Sequence, residues 1–183
     1  MRVSSTLDEL VKEYSGKLRV VYKNMVVHPQ VVTDAHLATC AASKQHKFLE
    51  YKHAVWEKGF EPYSKSGGRD KDSFSEANLV KIAQEIGLDG DKLKADMHGD
   101  ECKQRLQSDE AELAKFQVHG TPAFFINGKH IGGGIPKEAF QKIIDEKLKI
   151  AEASGVSGAE YYEKEIMGKG EHQFKGPPGA EQE

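Results

Sequence analysis

The sequence predicts an α/β fold with an all-helical insertion, and three observations carry that reading. A helical apolar stripe near the N-terminus gives way to a β-branched run of strand length. From Val31 to Phe116 the patterns are helical, apart from one loop. After Gly120 two short apolar runs flank Asn127-Gly128, and a last amphipathic helix follows. Helix, strand, a block of helices, hairpin and helix is an α/β order with helices inserted between its halves.

Each element has a local cause. Thr6 and Glu9 form a T-x-x-E capping box that predicts a helix start, and Leu7, Leu10, Val11 and Tyr14 make one stripe. Ser15-Gly16 ends that helix. Leu18–Tyr22 reads as a strand. His28-Pro29 breaks the chain, and helical composition then runs from Val31 to about Trp56, Ala-rich around Cys40 and carrying Phe48, Tyr51 and Val55. Gly59 to Ser73, with Pro62, Gly67 and Gly68 among charges, reads as a loop. Leu79, Ile82, Ala83 and Ile86 form a clean stripe that Gly87 closes. Asp89 caps a short helix through Leu93 and Met97. Cys102, Leu106, Asp109, Leu113 and Phe116 share one mostly apolar face of a longer helix. Ala123–Ile126 and Lys129–Ile131 are the arms of a hairpin, because Asn127 and Gly128 both tolerate φ > 0. Gly132 to Gly134 make a turn, and Pro136 starts a helix with Phe140, Ile143, Ile144 and Leu148 inward. A short helix spans Tyr161 to Met167. From Lys169 onward Gly, Pro, Gln and Glu predict a disordered tail over 169–183.

Composition excludes several classes. The 183 residues suit one ordinary domain, and 38% hydrophobic residues supply a core. Net charge of −3, from 26 basic and 29 acidic groups, argues against a dedicated nucleic-acid binder. No apolar run approaches the roughly 20 residues of a membrane span, and Met1 to Glu9 has no apolar core of a secretory signal. Two cysteines rule out a disulfide-dense scaffold and a four-cysteine zinc site. His46 and His53, or His28 and His36, lack metal-ligand spacing, so neither metal nor cofactor is expected. Gly132-Gly133-Gly134 lacks the Lys-Ser/Thr of a phosphate loop.

One stretch carries chemistry: Val118-His119-Gly120-Thr121-Pro122-Ala123-Phe124-Phe125-Ile126-Asn127-Gly128. A proline cannot donate to a ladder, so it belongs at a strand start or an edge. Two readings stay open. Pro122 either opens a strand in trans, or forms a cis Thr121-Pro122 bond that turns the Thr121 N–H and C=O outward to pair with an extended peptide.

Gly120 to Gly128, followed by Ile131-Gly132-Gly133, resembles the cis-proline hairpin of the thioredoxin superfamily, specifically its DsbA branch. Thr6 to Tyr22 is similar to that family's first helix and second strand. Ala38-Thr39-Cys40-Ala41-Ala42 with Gln45, Lys47 and Phe48 resembles the start of its helical insertion, and Cys102 to Phe116 the helix leading to the cis-proline loop. The likeness covers roughly Thr6 to Leu148. It implies a thioredoxin-like fold of DsbA type over residues 1–168, with a helical insertion at about 31–117. It also implies thiol–disulfide exchange with protein substrates in the bacterial cell envelope. Carried over, Pro122 is the cis-proline and Thr121 the peptide-pairing residue; His119, two residues before the bond, would line the peptide groove.

The departure from the family pattern is that no C-x-x-C occurs. The family's pair would fall just upstream of Arg2-Val3, and its first β-strand is also missing, so the expectation is an N-terminally truncated form with little redox turnover. The gap in the sheet would be closed by direct pairing, left open, or filled by a strand from another chain, including a homodimer through the open sheet. Cys40 and Cys102, 62 residues apart, read first as packed apolar thiols, with a mutual disulfide or a redox role as alternatives. A non-catalytic peptide- or partner-binding module is the alternative function. The isomerase and glutathione-transferase branch of the same fold is a second.

Overall fold

The computed structural model describes residues 2–175. In chain order the helices are α1 (Arg2–Glu13), α2 (Pro29–Lys44), α3 (Phe48–Val55), α4 (Glu61–Lys65), α5 (Glu76–Glu85), α6 (Gly90–His98) and α7 (Asp100–Lys115). The hairpin of β1 (Ala123–Ile126) and β2 (Lys129–Gly132) follows, then α8 (Lys137–Ala153) and α9 (Gly158–Tyr161). A π-helical turn at Trp56–Phe60 joins α3 to α4, and another at Tyr162–Met167 continues α9. The α/β order with a helical insertion therefore holds. The chain divides into two compact units, residues 23–111 and residues 1–22 with 112–183.

The all-helical unit packs small residues against large ones. Ala38, Ala41 and Ala42 of α2 are fully buried in one cluster with Leu79, Ile82, Leu93 and Met97. Methyl-sized side chains let helix backbones approach closely, which explains the Ala-rich composition around Cys40. The buried Tyr51 hydroxyl donates to the Leu79 carbonyl at 2.9 Å, so its polar end is satisfied inside that cluster. Asp109, the polar residue on the apolar face of α7, is 3% exposed. Its Oδ2 accepts from the Asn24 backbone N–H (2.9 Å) and side-chain amide (2.8 Å), with the Lys23 ammonium 3.4 Å from Oδ1. Asn24 Oδ1 in turn lies 3.0 Å from His36 Nδ1, and burial pushes that imidazole's pKa down against the opposing pull of Glu110. The carboxylate thus fastens the segment before α2 to two helices.

In the other unit Leu10, Phe140 and Ile144 form a buried core, and Leu18, Phe124, Ile126 and Ile131 pack against it. Phe124 meets Phe140 edge to face at 5.0 Å. The Tyr14 hydroxyl donates to Asp145 at 2.6 Å; burial first, then that carboxylate, pushes the phenol up to about 12. Lys137 bridges Glu9 (2.7 Å) and Glu13 (2.5 Å), joining α8 to α1.

Three expectations need correction. Helix α1 starts at Arg2, so Thr6 lies inside it rather than at its cap. Leu18–Tyr22 is not a strand. It keeps the alternation of one, with Leu18, Val20 and Tyr22 half-buried and Arg19 and Val21 exposed, but a strand needs a ladder, and β1 and β2 pair only with each other. The helical stretch from Val31 to about Trp56 divides into α2 and α3, because His46 sits at φ +59° and lets Lys47 N–H reach back to the Ala42 carbonyl. The Gly59–Ser73 loop is largely helical. Pro62 occupies the first turn of α4, where its missing N–H costs nothing, and Gly59 is present for close packing: a Cβ there would lie 3.2 Å from Phe74 Cε1 and from the Ser73 carbonyl oxygen. The disordered tail expected over 169–183 is irregular through Lys175, and its remainder, 176–183, lies outside the described residues.

Candidate functional site

The site begins where α7 ends. Gln117, at φ +54°, turns the chain so that the Val118 N–H donates back to the Leu113 carbonyl at 3.1 Å, and Val118 buries its side chain. His119, Gly120, Thr121 and Pro122 then run exposed into β1. The Thr121-Pro122 bond is cis, so the trans form left open from sequence does not hold. Among the described residues no hydrogen bond engages the Thr121 N–H or C=O.

The hairpin holds this loop in place. Asn127 (φ +42°) and Gly128 (φ +85°) form the expected turn, and Ile126 pairs with Lys129, Phe125 with His130, Phe124 with Ile131 and Ala123 with Gly132. The Gly133 N–H donates to the Pro122 carbonyl at 2.8 Å and carries the ladder one step past the strand. Side chains alternate: Phe124, Ile126 and Ile131 face the core, and Phe125 and His130 share the opposite face with ring centroids 4.9 Å apart. Phe116 meets Phe125 edge to face at 5.5 Å, yet Phe125 stays 45% exposed.

A shallow hollow of about 260 Å³ lies on this outer side, bordered by His119, Gly120, Thr121 and Pro122 and by His130, Gly132 and Gly133 of the returning strand. The structure thus brings together the three residues singled out from sequence, His119, Thr121 and Pro122. Sequence reasoning missed His130, Gly132 and Gly133. The register of a two-residue Asn-Gly hairpin is the signal that places them opposite Phe125, Ala123 and Pro122.

Cys40 and Cys102 belong to the helical unit, and their reading as two packed thiols is corrected. They form a disulfide between α2 and α7, with Cα atoms 5.7 Å apart, and Cys102 is fully buried. Neither thiol is free for exchange in this state. Among the described residues no group of His, Cys, Asp or Glu converges as metal ligands, and no helix is long and apolar enough to cross a membrane.

Known proteins resemble the chain over most of its length. It is 25% identical over 149 residues to a probable disulfide bond formation protein D of Bacillus anthracis, covering 79% of this chain and 65% of that protein. It is also 23% identical over 138 residues to a Na(+)/H(+) antiporter NhaA of Herminiimonas arsenicoxydans, covering 75% of this chain and 20% of the antiporter. The likeness to NhaA 1 of Mycobacterium sp. (strain KMS) is 26% over 137 residues, 72% of this chain and again 20% of the relative. The chain therefore spans about two thirds of protein D and a fifth of the antiporters. No solved structure matches it. Residues 4–145 match the DSBA-like thioredoxin domain, which takes in α1, the helical unit, the hairpin and the first half of α8; the chain belongs to that family.

Proposed function

We propose that the chain is the polypeptide-holding part of a DsbA-like thiol:disulfide oxidoreductase that acts on protein substrates, its two compact units working as one domain. Thr121, Pro122 and His119 are the contact residues. The observation that carries this reading is the Thr121 main chain, exposed and without an internal partner beside the hollow. An N–H and a C=O so placed can form a pair of hydrogen bonds with an extended peptide, and pairing through the main chain suits an enzyme that must accept many sequences.

We further propose that these 183 residues perform no dithiol exchange by themselves. Exchange needs a thiolate that can attack, and the chain has no C-x-x-C, its two cysteines being joined to each other. The chain then binds polypeptide without chemistry, which merges the oxidoreductase lineage with the binding-module reading.

Two measurements test this. Insulin reduction by the purified chain should not exceed the uncatalysed rate. Turnover that disappears in a Cys40→Ser variant would contradict the inactivity. Binding of a reduced, carboxymethylated unfolded polypeptide should fall at least about tenfold in Thr121→Pro, which removes the exposed main-chain N–H that no internal group engages. Unchanged affinity removes the loop from the binding surface.

A further inference from the structure

The last carbonyls of α7 are satisfied from two sources. The Phe116 N–H is shared between the Glu112 and Leu113 carbonyls at 3.3 and 3.2 Å. The Gln117 N–H donates to Ala114 and the Val118 N–H to Leu113, each at 3.1 Å. The loop that leaves the helix therefore caps these carbonyls itself. The carbonyl of Lys115, the final helical residue, instead accepts from the Phe174 N–H at 2.9 Å. Phe174 arrives there on a segment with its own construction. After α8 the chain turns at Gly155 (φ +70°) into α9 and the π-helical turn, and the Arg19 guanidinium sits 4.3 Å above the centroid of the Tyr162 ring. Glu160 and Lys164 (2.8 Å), Glu165 and Lys169 (2.7 Å), and Glu171 and Lys175 (2.6 Å) pair at i,i+4 along it. The Gly170 N–H donates to the Ile166 carbonyl at 2.9 Å, and a Cβ at Gly170 would collide with that same oxygen. The segment lies beyond the family match, within the same compact unit as the cis-proline loop.

We propose that residues 158–175 form a strap that sets the posture of the cis-proline loop, with Phe174 and Tyr162 as positioning residues for polypeptide binding. Lys115 precedes Phe116, whose ring meets Phe125 of β1 edge to face, and Gln117 then turns the chain toward Thr121-Pro122. A hydrogen bond on the Lys115 carbonyl fixes the peptide plane from which that turn departs. The cation–π contact ties the other part of the strap to the Leu18–Tyr22 segment. None of the strap borders the hollow among the described residues, so it acts through the loop. The inference rests on the polypeptide-holding reading and deepens it: affinity at Thr121 depends on a segment remote from it in sequence.

The test uses the full chain and separates the donor from the ring. Phenyllactic acid at position 174 puts an ester oxygen where the N–H stands and keeps the side chain. Tyr162→Leu takes the ring from Arg19, and Tyr162→Phe keeps it. Amide hydrogen exchange followed by NMR should become about threefold or more faster at Gln117 and Val118 in the ester and Tyr162→Leu variants, with the β1–β2 hairpin amides unchanged. Affinity for the reduced, carboxymethylated polypeptide should fall about threefold or more in both. Tyr162→Phe should match the parent, and Gly170→Ala, which blocks the strap's turn and alters neither anchor, should reproduce the ester. Unchanged exchange at Gln117 and Val118 overturns the inference. So does faster exchange spread evenly over the hairpin and α8, which marks general destabilisation. Tighter binding by the ester variant overturns it in favour of a strap that competes with polypeptide. Full affinity in the ester variant beside weakened binding in Thr121→Pro sinks the strap alone, whereas full affinity in Thr121→Pro sinks the polypeptide-holding reading itself.

Discussion

Removing the Cys40–Cys102 bond should cost the helical unit several kcal/mol. The bond joins residues separated by 62 positions. Chain-entropy accounting for a closed loop of that size gives about 4 kcal/mol at 25 °C, because the reduced unfolded chain gains the freedom that the cross-link denies it. That is a large share of the roughly 5–15 kcal/mol that holds an ordinary domain together. Urea unfolding with and without dithiothreitol measures it, and the only tryptophan, Trp56, reports on this unit alone because it lies within residues 23–111. With a typical urea slope of ~2 kcal/mol per molar, the midpoint should fall by about 2 M on reduction. The Cys40→Ala/Cys102→Ala double variant should behave like the reduced protein and be insensitive to dithiothreitol. A midpoint shift below about 0.5 M would refute the reasoning, since the bond would then restrain little that the packing of α2 on α7 does not already restrain.

Other outcomes follow from the packing and charge. Tyr51→Phe should destabilise the helical unit by about 1 kcal/mol in the same titration, because the buried hydrogen bond from the Tyr51 hydroxyl to the Leu79 carbonyl, 2.9 Å long, is lost. Acid should weaken the fold through Asp96, whose carboxyl the Lys44 ammonium holds below its usual 3.8, with Lys92 helping. A depressed carboxyl contributes stability that is present above its unfolded value and lost as pH falls through the folded one. The wild-type chain should therefore lose more stability between pH 5 and pH 2 than Asp96→Asn, and equal acid sensitivity of the two would show that the pair contributes nothing measurable.

How far these features were legible in the chain depends on whether their cause is local. The Asn127-Gly128 hairpin, the Asp89 cap, whose Oδ1 accepts the Lys92 N–H at 2.9 Å, and the Leu79–Ile82–Ala83 stripe are set within a few residues and read directly. Leu18–Tyr22 has every local mark of a strand, but pairing is decided by what lies beside it. Gly59 and Pro62 look like loop signals and serve close packing and a helix start. The Cys40–Cys102 bond depends on α2 and α7 meeting across 62 positions, which no spacing rule encodes. Within the site, the hairpin motif located Thr121, Pro122 and His119. The opposite wall of the hollow required the register of β2.

The most direct measurement places a photoreactive benzoyl-phenylalanine at position 120, where added atoms meet open space, and irradiates the chain with an unfolded, carboxymethylated polypeptide. The same residue at position 158, equally open, is the control. Crosslinks from position 120 and none from 158 are the predicted result. Equal labelling from both positions, or none from 120, would mean that the Thr121–Pro122 loop is not a polypeptide-binding surface.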